Sequence, residues 1–267
     1  MNDYLQRNNA YLARQEIDKL LETISRDPSR LEQFGFKVYS QSDEDGIIEE
    51  IFKRLSIKRG TFCEIGVETG LECNTLYLLH KGWSGSWIDA NSEYVDYIKD
   101  NCPFVGSSLK LCNAFLTREN INETLYQLQL TRETELDFMS IDVDGNDIHL
   151  FSEMEVRPKV LCIEYNAKWR PNISVSPVYD PNYCWQGNDY MGSSLKSLVD
   201  IAKFKSYELV GTTITGTNAF FVRKDLVKEN FSLPIIENLY NPPRYWLIYD
   251  HYWFIGHGAS YGKYIYS

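Results

Sequence analysis

The sequence is short of basic residues, of long apolar runs and of paired cysteines, and each shortage closes off a class of function. Lys and Arg number 27 against 37 Asp and Glu, a formal charge of −10. Binding to a phosphate backbone rests on Lys and Arg displacing condensed counterions, so nucleic acid is not expected as a partner. No stretch approaches the length of a membrane span, and the opening MNDYLQRNNAYLARQEIDKLL has no apolar signal core or small-residue cleavage site. A cytoplasmic protein without membrane insertion is expected. The six cysteines contain no C-x-x-C pair, and Cys63, Cys112 and Cys162 lie inside apolar, strand-like runs. That pattern predicts buried, reduced thiols rather than a disulfide framework. There is no internal repeat and no low-complexity segment.

What is present is enough apolar residue, 43% of 267, to bury one full-sized core. Residues 17–30 carry an amphipathic helical pattern, and a second helix is expected from about 43 to 55, with Ser42 as N-cap and Asp43, Glu44 and Asp45 placed to meet the helix dipole. Short apolar runs then alternate with helical stretches: TFCEIGV (61–67), SGSWIDA (84–90), LKLCNAF (109–115), LDFMSIDV (136–143) and KVLCIEYN (159–166). This alternation predicts an α/β fold, a doubly wound, mostly parallel sheet covered by helices on both faces. A further helix, SSLKSLVDIAKF, precedes YELVGTT and NAFFVRKD, which are separated only by ITGT. So short a link forces those two strands to be antiparallel, giving a seven-stranded sheet that ends in a hairpin. The expected organisation is an N-terminal helical segment (1–57), a core (58–226) with an insertion at 167–192, and an aromatic C-terminal extension (227–267).

Two features fall at the carboxyl ends of the first two strands, where an open α/β sheet places its ligand crevice. CEIGVETG puts Gly66 and Gly70 in the turn leaving the first strand, and WIDA puts Asp89 at the end of the second, where an acid can read a ribose diol. The bland alternative is a tight turn followed by an Asp that caps the next helix. The loop reads E-x-G-x-x-x-G rather than G-x-G-x-x-G, which argues against NAD or FAD.

EIGVETG, WIDA, five α/β units and the terminal hairpin together resemble the class I S-adenosylmethionine-dependent methyltransferases with their Rossmann-like sheet, over roughly residues 40–225. The resemblance implies S-adenosylmethionine as cofactor, with Gly66, Gly70 and Glu64 near its methionine part, Asp89 on the ribose, and Asn113 and Ala114 near the adenine. QSDEDG (41–46) is similar to the segment that precedes the first strand in FkbM-type methyltransferases, where it passes close to the cofactor.

The fourth strand leads into SIDVDGND (140–147), which packs Asp142, Asp144 and Asp147 into six positions. Side chains alternate along a strand, so Asp142 and Asp144 share a direction if extended backbone continues to 144, and Glu164 at the end of the neighbouring strand lies within reach. Clustered carboxylates call for a shared proton or a hard cation such as Mg²⁺. The segment is similar to the macrocin-type sugar O-methyltransferases, which implies Asp142, Glu164 and Asn166 as metal ligands, Asp142 also bordering the cofactor, and Asp144 as general base. Glu164-Tyr165-Asn166 stands where that pattern has paired acids. The plain alternative is a D-G turn whose acids face water and cap the helix that starts near Asp147, with His149 structural.

Aromatic residues make up 14% of the chain and crowd 165–191 and 240–267. Sugar binding uses flat aromatic faces with planar polar groups, so Trp169, Arg170 and Tyr190 are candidates for substrate contact, and His251 for a base or contact role, with a carbohydrate or nucleotide sugar as substrate. The tail serves equally well for core packing or a homodimer contact. Two rival readings stand. Asp142-Val143-Asp144 also satisfies the D-x-D pattern of metal-dependent glycosyltransferases, and a non-catalytic binding protein can keep the same fold.

Overall fold

In the computed structural model, residues 2–232, 235–247, 259–262 and 264 are described. Seven strands form one sheet: β1 (Thr61–Ile65), β2 (Ser84–Asp89), β3 (Leu109–Asn113), β4 (Phe138–Ile141), β5 (Val160–Glu164), β6 (Tyr207–Thr212) and β7 (Asn218–Arg223). Their order is β3-β2-β1-β4-β5-β7-β6, with the first five parallel and β7 antiparallel to both β5 and β6. The doubly wound sheet with its terminal hairpin is therefore as the sequence predicts.

Alternation along each strand splits the core into two layers. Cys63, Ile65, Met139, Ile141, Leu161 and Ile163 point to one face, packed by α5 (Ile121–Gln127), α6 (Asp147–Glu153) and α7 (Leu195–Phe204). Phe62, Trp87, Phe138, Val160, Cys162 and Phe220 point to the other, packed by α2 (Glu44–Arg54), α3 (Leu76–His80) and α4 (Ser92–Asn101). Both faces being covered is why these strands read as nearly continuous apolar runs. The six cysteines are free thiols. Among the described residues no helix is long and apolar enough to cross a membrane.

Two expectations need correction. The first helix, α1, spans Asn2–Ile24 rather than 17–30. Pro28 disfavours helix for the residue before it, and Asp27 Oδ1 instead accepts from the Ser29 N–H (2.9 Å) and hydroxyl (2.6 Å). At the second helix Ser42 is not the N-cap, while Glu44 and Asp45 lie in the first turn as expected. Asp43 occupies the N-cap position of α2 without a side-chain cap bond. Asp45 Oδ2 accepts from the amides of Val38, Tyr39 and Ser40 (2.7, 2.7 and 3.0 Å), Asp43 takes the Ile214 amide (3.1 Å), and Glu44 takes the Ser42 amide (2.6 Å) and Asn218 Nδ2 (3.0 Å). An irregular buried segment must have its N–H groups satisfied, and these acids tie 38–42 to the β6–β7 turn.

Candidate active site

Extending the strand register by one residue builds the floor of the site. Ile65 lies opposite both Ile88 and Ile141, Ile141 opposite Ile163, Asp89 opposite Asn113, and Glu164 opposite Asn218. The amides of Gly66 and Asp142 continue the ladder to Ile88 O (2.9 Å) and Ile65 O (3.0 Å). Asn113, Asp89, Gly66, Asp142, Glu164 and Asn218 thus form one row across the carboxyl end of the parallel strands.

The glycine loop is held by its neighbours. Gly66, Glu68 and Gly70 have left-handed backbone (φ 79°, 49° and 74°). The close approach at Gly66 is to protein: a Cβ there would lie 1.7 Å from the Asp142 carbonyl oxygen. Asp89 Oδ2 accepts from the amides of Val67 (3.0 Å) and Glu68 (2.8 Å), and its Oδ1 from Asn91 (2.8 Å). The cap of α4 is Asn91, so Asp89 serves the loop and not the helix. Asn113 Nδ2 donates to the carbonyls of Asp89 (2.9 Å) and Ala90 (3.1 Å), with half-buried Ala114 beside it.

Glu64 lies one strand turn below this row, buried. It accepts from the Asn74 amide (2.7 Å) and from the Thr75 hydroxyl, which in turn accepts from Trp87 Nε1 (2.6 Å). Burial pushes its carboxyl up to about 7 against these donors, and burial pushes Asp45, whose Oδ1 has no partner among the described residues, up to about 6. Both groups hold a proton in the folded state at a pH where the unfolded chain has released it. Their contribution is therefore most favourable near pH 4 and is lost as pH rises through 6 and 7, by about 3 kcal/mol for each group. Denaturant titration of the ligand-free protein should show lower stability at pH 8 than at pH 5, and Glu64→Gln should flatten that slope. A slope unchanged by Glu64→Gln would show that the carboxyl is already ionised at pH 5.

The acids of SIDVDGND come together through a turn. The strand ends at Ile141 and Asp144 adopts φ 55°, so strand alternation does not bring Asp142 and Asp144 together. Fully buried Asp147 pins the turn by accepting from the amides of Val143 and Gly145 (both 2.8 Å). As a result, oxygens of Asp142, Asp144 and Glu164 lie within 4.8 Å of one another. Glu164 is only 7% exposed, and its Oε2 has no hydrogen-bond partner among the described residues. Burial, and then the charge of its neighbours, drives Asp142 and Glu164 well above the ordinary carboxylate range, and Asp144 up to about 6.

Asp142 and Glu164 of the metal set expected from sequence lie in this cluster together with Asp144, and the amide of Asn166, its other expected member, is engaged with the insertion. Asn166 Nδ2 donates to the carbonyls of Asp189 (3.0 Å) and Met191 (2.8 Å), and its Oδ1 accepts from the Lys168 amide (3.2 Å). Its amide is used to fold the insertion. The insertion itself lies over the acidic turn: Asn146 Nδ2 donates to Asp180 O (2.8 Å), His149 Nε2 meets Pro177 O (2.9 Å), and Tyr183 packs on Gly145, where a Cβ would come within 2.5 Å of its ring. Trp169, Arg170 and Tyr190 are exposed on the same insertion; the Tyr190 hydroxyl accepts from the Val178 amide (3.2 Å) and its ring stacks edge-on to Tyr183 (5.6 Å). His251 lies outside the described residues.

Tyr183, packed on the acidic turn, and the buried Tyr245 are residues that sequence reasoning does not single out. The Tyr245 hydroxyl is buried without a partner among the described residues, and burial together with the charge of Glu164 pushes its phenol up to about 12. One aromatic among many in 165–191 or 240–267 gives no signal of which will turn inward.

No family model matches the chain, and no curated protein matches it. Among solved structures it is similar to an S-adenosylmethionine-dependent methyltransferase from Aquifex aeolicus (16% identity over 78% of this chain and 97% of the other, TM-score 0.38). It is also similar to an S-adenosylmethionine-dependent methyltransferase from Clostridium acetobutylicum (11%, 70% and 92%, 0.41) and to spermidine synthase from Thermotoga maritima (14%, 68% and 59%, 0.39).

Proposed function

We propose that this protein is a cytoplasmic S-adenosylmethionine-dependent O-methyltransferase acting on a sugar hydroxyl, of a surface-polysaccharide precursor or a glycosylated small molecule. The observation that carries the reading is the single row at the carboxyl end of the sheet, which sets the glycine loop and Asp89 beside Asp142 and Glu164. On this reading the loop 66–70, Asp89, Asn113 and Ala114 hold the cofactor, whose sulfonium supplies an electrophilic methyl group. A hydroxyl must lose its proton as it attacks. Asp144, its carboxyl raised to about 6, is suited to take that proton near neutral pH.

The donor set also fits a hard divalent cation. Asp142, Asp144 and Glu164 are all oxygen ligands, and Glu164 Oε2 is an acceptor with no hydrogen-bond donor among the described residues. Bound Mg²⁺ would lower the pKa of a coordinated sugar hydroxyl and orient the diol. Asp142 and Glu164 would hold it, and Tyr183, Trp169 and Arg170 on the overlying insertion would border the acceptor.

Calorimetric titration with S-adenosylmethionine, with Mg²⁺ present, tests the cofactor. Saturable one-to-one binding is expected, and Asp144→Asn should keep that affinity within about twofold while turnover on a sugar panel falls by two orders of magnitude or more. Wild-type turnover in Asp144→Asn removes Asp144 from the mechanism. Failure to bind S-adenosylmethionine, with binding of a nucleotide sugar and Mn²⁺, would favour the D-x-D glycosyltransferase.

A further inference from the structure

The glycine loop has little regular structure to hold it. Three of its five residues are left-handed, and its one internal backbone bond is the Gly70 amide to Val67 O (2.7 Å). Asp89 ties one side by taking the amides of Val67 and Glu68. The opposite tie comes from far along the chain. Tyr261 donates its hydroxyl to the Thr69 carbonyl (2.7 Å), 192 residues away in sequence.

Its ring is seated on the core layer that contains Trp87, with Tyr97 beside it (6.3 Å between ring centres). It also occupies the space that any side chain at residue 70 would need: a Cβ on Gly70 would meet the Tyr261 hydroxyl at 2.4 Å and Trp87 at 2.6 Å. Gly70 is thus glycine for two reasons, its left-handed backbone and the tyrosine against it. Three residues on, Tyr264 contacts His80 at the end of α3 (5.2 Å), in a group where His80 stacks on Tyr39 (5.1 Å) and meets Phe104 edge-on (4.8 Å). Tyr261 therefore meets the glycine loop, and Tyr264 meets the helix that follows it.

We infer that Tyr261 is a positioning residue for cofactor binding, fixing the Thr69 carbonyl and with it the loop 66–70. The inference rests on the methyltransferase reading and deepens it. Without the Tyr261 hydroxyl, Gly70 keeps its amide bond to Val67 O and the Cys73 thiol on its carbonyl (3.2 Å), but the Thr69 carbonyl loses its donor, and ordering it then has to be done by the ligand. Burial of the phenol keeps it protonated, so the donor is present across the working pH range.

The experiment uses the full chain with Tyr261→Phe, which keeps the ring and removes only the donor, and S-adenosylhomocysteine as the calorimetric probe at a temperature well below the unfolding midpoint. The expected result is a dissociation constant raised about five- to tenfold, with faster amide exchange at residues 67–70 in the ligand-free protein. Tyr264→Phe should leave the dissociation constant unchanged. A merely structural tyrosine would lower the midpoint without moving the affinity of the folded protein. Wild-type binding with an affinity for Tyr261→Phe within twofold of it overturns this inference alone, whereas no binding by the wild type overturns the methyltransferase reading and this inference with it.

Discussion

Replacing Glu164 by Gln should make the ligand-free protein more stable by about 1–3 kcal/mol, a rise of several degrees in thermal midpoint, and should remove its response to divalent cations. Glu164 is buried, one of its oxygens has no partner among the described residues, and Asp142 and Asp144 lie against it. Either the folded protein holds a proton there that the unfolded chain would release, or it holds a buried charge beside two others. Gln removes the choice, and its amide adds two donors facing carboxylates that need them. Stability rising as function falls is the expected mark of a site selected for a ligand rather than for the fold. The matching measurement is thermal unfolding at pH 8 with and without Mn²⁺. Wild type should gain about 2.7 kcal/mol at a hundredfold excess over the dissociation constant, and Glu164→Gln should gain nothing measurable. A wild type indifferent to Mn²⁺ and Mg²⁺ would leave the acids to share protons, and the metal would drop out of the proposed mechanism.

The parts of this protein that are legible in its sequence are those governed by period and by parallel register. Each of the seven strands is a short apolar run ended by a turn, and the ITGT link is too short for anything but a hairpin. Once five strands are parallel, their last residues must share one edge, so Gly66, Asp89, Asp142 and Glu164 come together whatever the loops do. Loops are where reading from sequence loses its hold. Asp43, Glu44 and Asp45 carry the composition of a helix start, yet each is spent on a buried backbone amide, because capping and loop-tying use the same short acids and burial decides between them. The same ambiguity hides how Asn166 and Asp144 are used. An amide suits two carbonyl acceptors in the folded insertion, and an acid at a left-handed turn can swing toward Glu164. Tyr183 and Tyr261 reach Gly145 and Thr69 across separations that no local pattern encodes.

The largest loss of stability is expected at Gly66, and it separates two explanations of a glycine at the end of β1. If glycine is there only to allow left-handed backbone, Gly66→Ala should cost what such a backbone costs an alanine anywhere, about 1–2 kcal/mol. Gly106→Ala supplies that reference, since Gly106 has nearly the same φ (77° against 79°) and nothing within 4 Å of where its Cβ would be. At Gly66 the added carbon would fall 1.7 Å from the Asp142 carbonyl oxygen, well inside any contact distance. Both partners are main chain at the junction of β1 and β4, so no side chain can rotate away. The strands must part where the Asp142 amide bonds to Ile65 O. A cost of about 4 kcal/mol or more by urea denaturation is expected, at least twice that of Gly106→Ala. Parting the strands also moves Asp142 away from Glu164, so whatever of Gly66→Ala remains folded should have lost the Mn²⁺ response along with the stability. Equal costs at the two glycines would mean that the β1 and β4 ends do not approach as closely as described, and the row from Asp89 to Glu164 would lose its common floor.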